Sequence, residues 1–261
     1  MAKYSVVLTT HKRPNSLART ISSVKTQSYP DLSLVVISDT LCSETRGVVV
    51  NRMSAGDLFV ERVGHNGPAA SRNVGLKCAS SQYVIFLDDD DELNSDYIES
   101  ADRIIDDREN RIFFSDRSLY NYSERKGTVD EVPFSKTATG NCDPDDIYIK
   151  NFIANSCAIY PTKIIQNRMF DETLILNEDW DFLLSVLQAA PLEYLPYTGP
   201  HGPVRYGVNV EQENRGWEHN DQLLDVYIKV YKKWPAPSKK LRLARQQLLA
   251  RAGVMLPLEL F

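Results

Sequence analysis

The stretch Tyr83-Val84-Ile85-Phe86-Leu87-Asp88-Asp89-Asp90-Asp91-Glu92-Leu93 runs from five uncharged residues into four consecutive aspartates. A short apolar run bounded in this way reads as a strand buried on both faces of a sheet. Such a strand delivers its trailing residues to the carboxyl edge, where α/β sheets bind their ligands. Four adjacent carboxylates repel one another, and the arrangement is costly unless a cation sits among them. Hard oxygen donors suit Mg²⁺ or Mn²⁺, which also bind substrate phosphates. The competing reading is a solvated helix start, where the macrodipole favours Asp; it accounts for one or two of the four.

Outward from this run the first half alternates between two periods. Short β-branched runs lie at Tyr4–Thr9, Leu34–Ser38, Leu58–Val63, Tyr83–Leu87 and Arg111–Ser115, and helix-like stretches at Ser16–Gln27, Glu44–Met53, Pro68–Ala79 and Ser95–Asp107. This is the pattern of an α/β fold with a mostly parallel, Rossmann-like sheet flanked by helices and built from right-handed crossovers. Residues 117–142, rich in Tyr, Ser, Lys and Gly, read as a hairpin or ordered loop. Two further helices are expected at Pro161–Asn167 and Glu178–Gln188. The Gly/Pro/Asn-rich stretch from Thr198 to Arg215 reads as a mobile loop beside a site. Two terminal helices, Trp217–Trp234 and Lys239–Ala252, flank Pro235-Ala236-Pro237. The expected organisation is a domain over 1–215, divided into a nucleotide-binding half (1–116) and an acceptor half (117–215), with a helical extension over 216–261.

The chain has 261 residues, 43% hydrophobic and 25% charged, with a net charge of −5. Wholesale disorder is excluded, and the acidic balance argues against a nucleic-acid partner. Cys42, Cys78, Cys142 and Cys157 form no CxxC and no zinc spacing, and read as reduced thiols. No segment approaches the ~20 apolar residues of a membrane span, and no secretory leader pattern precedes the first strand. The expected location is the cytoplasm, at the inner face of the membrane. Between Val226 and Leu258 stand eight Lys or Arg and no acid. That basic extension on an acidic body would dock on anionic lipid or, more simply, present a solvated face that packs on the body.

Three metal–carboxylate classes compete for the acidic run. An EF-hand loop requires a Gly that the run lacks. Haloacid-dehalogenase-type phosphohydrolases place Thr or Val where Glu92 stands and carry their motif on the first strand. Nucleotide-sugar transferases hold a divalent ion under the donor diphosphate with an Asp-x-Asp. Several blocks favour the last class: Ser5-Val6-Val7-Leu8-Thr9-Thr10-His11-Lys12-Arg13-Pro14, Ser23 to Pro30, Leu34 to Asp39, Gly67 to Leu76, Phe86 to Asp91, and Asn177-Glu178-Asp179-Trp180-Asp181-Phe182. In this order, over about residues 4–185, they resemble family 2 glycosyltransferases of the GT-A fold, including the bacterial spore-coat and surface-polysaccharide nucleotide-sugar transferases.

The resemblance implies an inverting, metal-dependent transfer of a sugar from a UDP- or dTDP-linked donor to a hydroxyl of a saccharide or lipid-linked saccharide acceptor. It implies that Thr9, Arg13, Asp39, Arg72, Asp88 and Asp89 hold the donor nucleotide. It also implies that Asp90 and Asp91 bind Mn²⁺ or Mg²⁺, with the register inside the run open by one residue. Asp179 is the implied catalytic base, with Glu178 and His201 as accessory groups. A carboxylate at Asp39 would accept the N3–H of uracil or thymine, which cytosine lacks. The chain departs from the family at Ser38-Asp39-Thr40-Leu41 and at His11-Lys12, both beside the base pocket. Tyr120, Tyr122 and Tyr148 read as packing aromatics or as a platform for an acceptor sugar. The rival reading is a non-catalytic nucleotide-sugar-binding subunit on the same scaffold.

Overall fold

The computed structural model describes residues 2–64, 67–123, 126, 128–130, 139–198, 203–209 and 221–261. The first half folds as β1 (Tyr4–Thr10), α1 (Pro14–Lys25), β2 (Leu32–Ser38), α2 (Ser43–Val50), β3 (Leu58–Glu61), α3 (Pro68–Cys78), β4 (Tyr83–Asp88), β5 (Glu92–Leu93), α4 (Tyr97–Ile105) and β6 (Ile112–Phe114). The second half adds β7 (Arg117–Ser123), β8 (Thr128–Asp130), β9 (Ala158–Pro161), α5 (Thr162–Ile165), α6 (Glu178–Leu187), β10 (Leu192–Tyr194), β11 (Val204–Asn209), α7 (Asp221–Lys233) and α8 (Lys239–Arg251).

Seven strands form the central sheet in the order β10-β6-β9-β4-β1-β2-β3. All neighbours are parallel except where β9 pairs antiparallel with β4 and β6. The mostly parallel α/β architecture expected from the sequence is therefore present. Every residue of β1 is buried, as the uninterrupted apolar reading requires of a strand covered on both faces. Gly75 on α3 allows that helix to lie close to the sheet: a Cβ there would stand 2.2 Å from Cγ1 of Val7.

Residues 117–123 and 128–130 form the expected hairpin, β7 antiparallel to β8. The stretch read as a mobile loop instead contains a strand. β11 pairs in parallel with β7 and antiparallel with β5, completing a second sheet in the order β5-β11-β7-β8. Its glycine, Gly207, which suggested a loop, is there because the strand passes against the backbone of Asp90. The terminal helices pack on the body, with Val226, Tyr227, Val230, Tyr231 and Leu249 in the main core. Among the described residues no helix is long and apolar enough to cross a membrane.

Candidate active site

Parallel pairing brings three strand ends level. Thr9 lies opposite Asp88 and Thr10 opposite Ser38, so the ends of β1, β2 and β4 open on one cleft of about 520 Å³. Thr9, Arg13, Asp39, Arg72, Asp88, Asp89, Asp90 and Glu178 all line it. The structure thus gathers into one place eight residues spread over 170 positions. Asp179 shares the first turn of α6 with Glu178. His201 lies outside the described residues.

The four carboxylates of the Asp run leave their turn in different directions. The turn closes with the Asp91 amide donating to the Asp88 carbonyl at 3.1 Å. Asp88 faces Arg72, whose Nη2 donates at 2.6 Å. Asp89 is buried and accepts from Thr10 Oγ1 at 2.7 Å, the His11 amide at 3.1 Å and Arg13 Nη1 at 3.0 Å. Burial pushes its carboxyl up to about 7 against the pull of Arg13. Asp90 reaches the cleft, where Arg13 Nη1 and the Tyr122 hydroxyl each donate to its Oδ2 at 2.8 Å. Burial raises it too. Asp91 turns into the interior, 1% exposed, where it accepts from the Ser156 hydroxyl and, at 3.0 Å, from the Gly207 amide. Burial and the neighbouring acids hold it well above the ordinary carboxylate range. Of the pair expected to hold metal, only Asp90 presents its carboxylate to the cleft. Ser156 and the Gly207 amide hold Asp91 on the inner side of the turn.

The second sheet braces this turn, and the sequence reading missed it. The Tyr120 hydroxyl donates to the Asp90 carbonyl at 2.5 Å, and Tyr122 donates to the Asp90 carboxylate. The two tyrosines serve the acidic turn and are buried, 1% exposed each, so neither offers a face to an acceptor sugar. A Cβ on Gly207 would lie 2.1 Å from the Asp90 carbonyl oxygen. Glycine is needed there because backbone meets backbone, one of the situations that place Gly inside a strand. An isolated Gly between Val204-Arg205-Tyr206 and Val208 was the available signal.

The opposite wall is built by α3. Asn73 clamps the backbone of Phe170, donating to its carbonyl at 3.0 Å and accepting from its amide at 2.8 Å. That clamp fixes the chain leading into α6. Next to it, Arg72 is 4% exposed and bridges Asp88 to Glu178, with Nη1 donating to Glu178 Oε1 at 2.6 Å. A guanidinium held between two carboxylates in the interior costs about 3–5 kcal/mol when one partner is removed, because a buried charge is left unpaired. Asp179 accepts the Trp180 amide on Oδ1 at 2.7 Å and the Asn151 side chain on Oδ2 at 3.3 Å. Burial, then the adjacent Glu178, push its carboxyl up to about 7, with Arg72 pulling the other way. Trp180 is fully buried, a core residue and not a sugar platform.

At the far end of the cleft His11 Nδ1 and Asp39 Oδ1 are 2.6 Å apart, and Asp39 Oδ2 accepts the Gly67 amide at 3.1 Å. Both carboxylate oxygens of Asp39 are thereby oriented. His11, half exposed, lines the same cleft.

The donor set suits a hard divalent ion. Asp88 and Asp90 line the same cleft two residues apart, and such ions use one or two carboxylates and complete their shell with water and substrate phosphate. Among the described residues no group of three or more His, Cys, Asp or Glu is placed to hold a metal ion.

Comparison with known proteins gives this arrangement its kin. The chain is 27% identical over 186 residues to the Campylobacter jejuni GalNAc(5)-diNAcBac-PP-undecaprenol beta-1,3-glucosyltransferase, a match covering 68% of this chain and 58% of that protein. It is 24% identical to Staphylococcus aureus poly(ribitol-phosphate) beta-N-acetylglucosaminyltransferase TarS, over 71% of this chain and 34% of TarS. The chain thus spans about half the length, or less, of these two relatives. In structure, TarS 1–349 in complex with UDP-GlcNAc superposes with a TM-score of 0.65 at 18% identity, over 95% of this chain and 72% of that one. A mannosyltransferase from Pyrobaculum calidifontis in complex with GDP-Man and Mn²⁺ gives 0.61 at 14%, over 97% and 73%. These likenesses establish the shared GT-A fold. The family model for glycosyl transferase family 2 matches residues 5–168, a span that includes Arg13, Arg72 and the whole Asp turn; the chain belongs to glycosyl transferase family 2.

Proposed function

We propose that the cleft is the donor site of an inverting, metal-dependent transferase that moves a sugar from UDP, or from dTDP, to a hydroxyl of a saccharide or lipid-linked saccharide in bacterial surface-glycan synthesis. The observation that carries this reading is the Asp88–Arg72–Glu178 bridge. It ties the carboxylates suited to a diphosphate-bound ion to the helix turn that presents Asp179. The UDP-GlcNAc complex of TarS and the undecaprenol-linked substrate named for the Campylobacter relative support a UDP donor and a carrier-linked acceptor.

In this reading Asp39, oriented by His11 and Gly67, accepts the N3–H of the base, and Thr9 borders the same pocket. Arg13 meets the diphosphate from the side of Asp89. Asp88 and Asp90 would hold Mn²⁺ or Mg²⁺, which when bound offsets the charge that builds on the leaving diphosphate. Asp91 keeps the turn in shape from inside. Asp179 takes the proton of the acceptor hydroxyl as that oxygen forms its bond to the anomeric carbon. The bond from that carbon to the diphosphate breaks with its electron pair leaving on the diphosphate. A single displacement inverts the anomeric centre.

Titration calorimetry with UDP, dTDP, GDP and CDP, each with and without Mn²⁺, tests the donor reading. Binding of UDP or dTDP that strengthens about tenfold or more with Mn²⁺, and none of CDP, is the expected result. Equal affinity for UDP and CDP would remove Asp39 from the base pocket.

The proposed setting is the cytoplasmic face of the membrane. Lys229, Lys232, Lys239, Lys240 and Arg251 stand on α7 and α8 and would face anionic lipid. Co-sedimentation with phosphatidylglycerol vesicles at low salt, lost at high salt, is expected; no co-sedimentation at low salt sinks the membrane contact.

A further inference from the structure

The two oxygens of Asp179 are held unequally. Oδ1 is committed to the Trp180 amide of its own helix turn, whereas among the described residues the side-chain donor on Oδ2 is Asn151 Nδ2. The orientation of that carboxamide is set by a second contact. Asn151 Oδ1 accepts the Ile153 amide at 3.1 Å, so its NH₂ group must face Asp179.

The backbone just before Asn151 is fastened in an unusual way. Three successive carbonyls each receive a donor from another element. Ile147 takes Trp180 Nε1 at 2.8 Å, Tyr148 takes Arg245 Nε at 2.6 Å, and Ile149 takes the Tyr231 hydroxyl at 2.6 Å. Arg245 on α8 is fully buried and has backbone carbonyls as its hydrogen-bond partners, those of Tyr231 and Trp234 besides Tyr148. The same helix pair grips α6 two residues past Asp179: Lys233 Nζ and Trp234 Nε1 both donate to Asp181 at 2.8 Å. One brace thereby holds both the loop that carries Asn151 and the helix that carries Asp179.

We propose that Asn151 is the positioning residue of Asp179, aiming the free lone pair of Oδ2 at the acceptor hydroxyl, and that the α7–α8 pair keeps the two in register. The inference rests on the reading of Asp179 as the base. A donor to Oδ2 favours the ionised carboxylate, and its loss favours the protonated form. Among the described residues the charged or titratable groups that act on Asp179 include Glu178, Arg72, Asp88, Tyr160 and Tyr227; none of them is altered by a change at Asn151.

The test is the carboxyl ¹³C titration of Asp179 in the full chain, its signal assigned by its disappearance in Asp179→Asn. Asn151→Leu removes the donor at nearly constant volume. Asn151→Asp keeps the acceptor for the Ile153 amide and puts a like charge beside Oδ2, which leaves the local fold intact should the Leu variant melt early. Both midpoints should rise, by about one pH unit for Asn151→Asp. Midpoints that stay at the wild-type value overturn the proposal. Sugar transfer that survives in Asp179→Asn sinks the base reading and this one with it. An inactive Asp179→Asn beside unshifted midpoints sinks this one alone.

Discussion

Asp179→Asn should lower sugar transfer by about 10²- to 10⁴-fold while UDP affinity in the presence of Mn²⁺ stays within about twofold of wild type. The amide keeps the size of the side chain and can still accept the Trp180 amide, but it cannot take the acceptor's proton. Glu178, the nearest substitute carboxylate, is occupied by Arg72. Kinetics of transfer beside calorimetry of UDP reads both quantities, and full turnover in the variant would end the role of Asp179. The wild type should also show an acid limb in its rate. A carboxyl pushed up to about 7 by burial and Glu178 is ionised only above that pH, so turnover falls as pH drops through about 7. The stability effect has the opposite sign. The folded-state value lies above the ordinary 3.8, so between about pH 4 and 7 the folded chain binds more protons at this group than the unfolded chain does. Its contribution to stability therefore declines as pH rises through that window.

Gly207→Ala should cripple the site without touching a charged residue. The added carbon meets the Asp90 carbonyl at 2.1 Å and the Tyr120 hydroxyl at 3.1 Å. The first obstacle is backbone, which cannot swing away like the end of a side chain. Either β11 or the Asp turn must move, and the Gly207 amide loses its bond to Asp91 as it does. Overpacking of this kind costs about 1–3 kcal/mol, or some 2–10 °C in melting temperature for a chain of this size. The displaced Asp90 should weaken Mn²⁺-dependent UDP binding by about tenfold or more. Gly47→Ala is the matched control: nothing lies within 4 Å of a Cβ there, it sits inside α2, and it should stabilise by up to about 1 kcal/mol. A Gly207→Ala variant that melts and binds like wild type would show that the second sheet does not brace the turn.

Five strands of the central sheet, β1 to β4 and β6, were legible because they are short apolar runs between helical periods, a pattern that depends only on which residues are buried. Boundaries came close, as with Tyr4–Thr9 against β1 at Tyr4–Thr10 and Glu178–Gln188 against α6 at Glu178–Leu187. Of the second sheet only the β7–β8 hairpin was legible. β5 has two residues, too few for any periodicity, and β11 carries the Gly that only its closeness to Asp90 explains.

The site divides along the same line. Linear order alone determined the chemical inventory: the Asp run at a strand end, the Glu178-Asp179 pair at a helix start, and the ordered blocks that resemble one family. Those features survive in one dimension because each is set by neighbours in the chain. Which carboxylate faces the cleft, which is sealed behind it, and which arginine pairs with which acid were decided by the tertiary structure. Asp88 and Asp91 are chemically identical until Arg72, from α3, meets one, and Ser156 and Gly207, from two other elements, meet the other. Direction is a property of packing, and packing joins residues that lie as far apart as the 106 positions between Arg72 and Glu178.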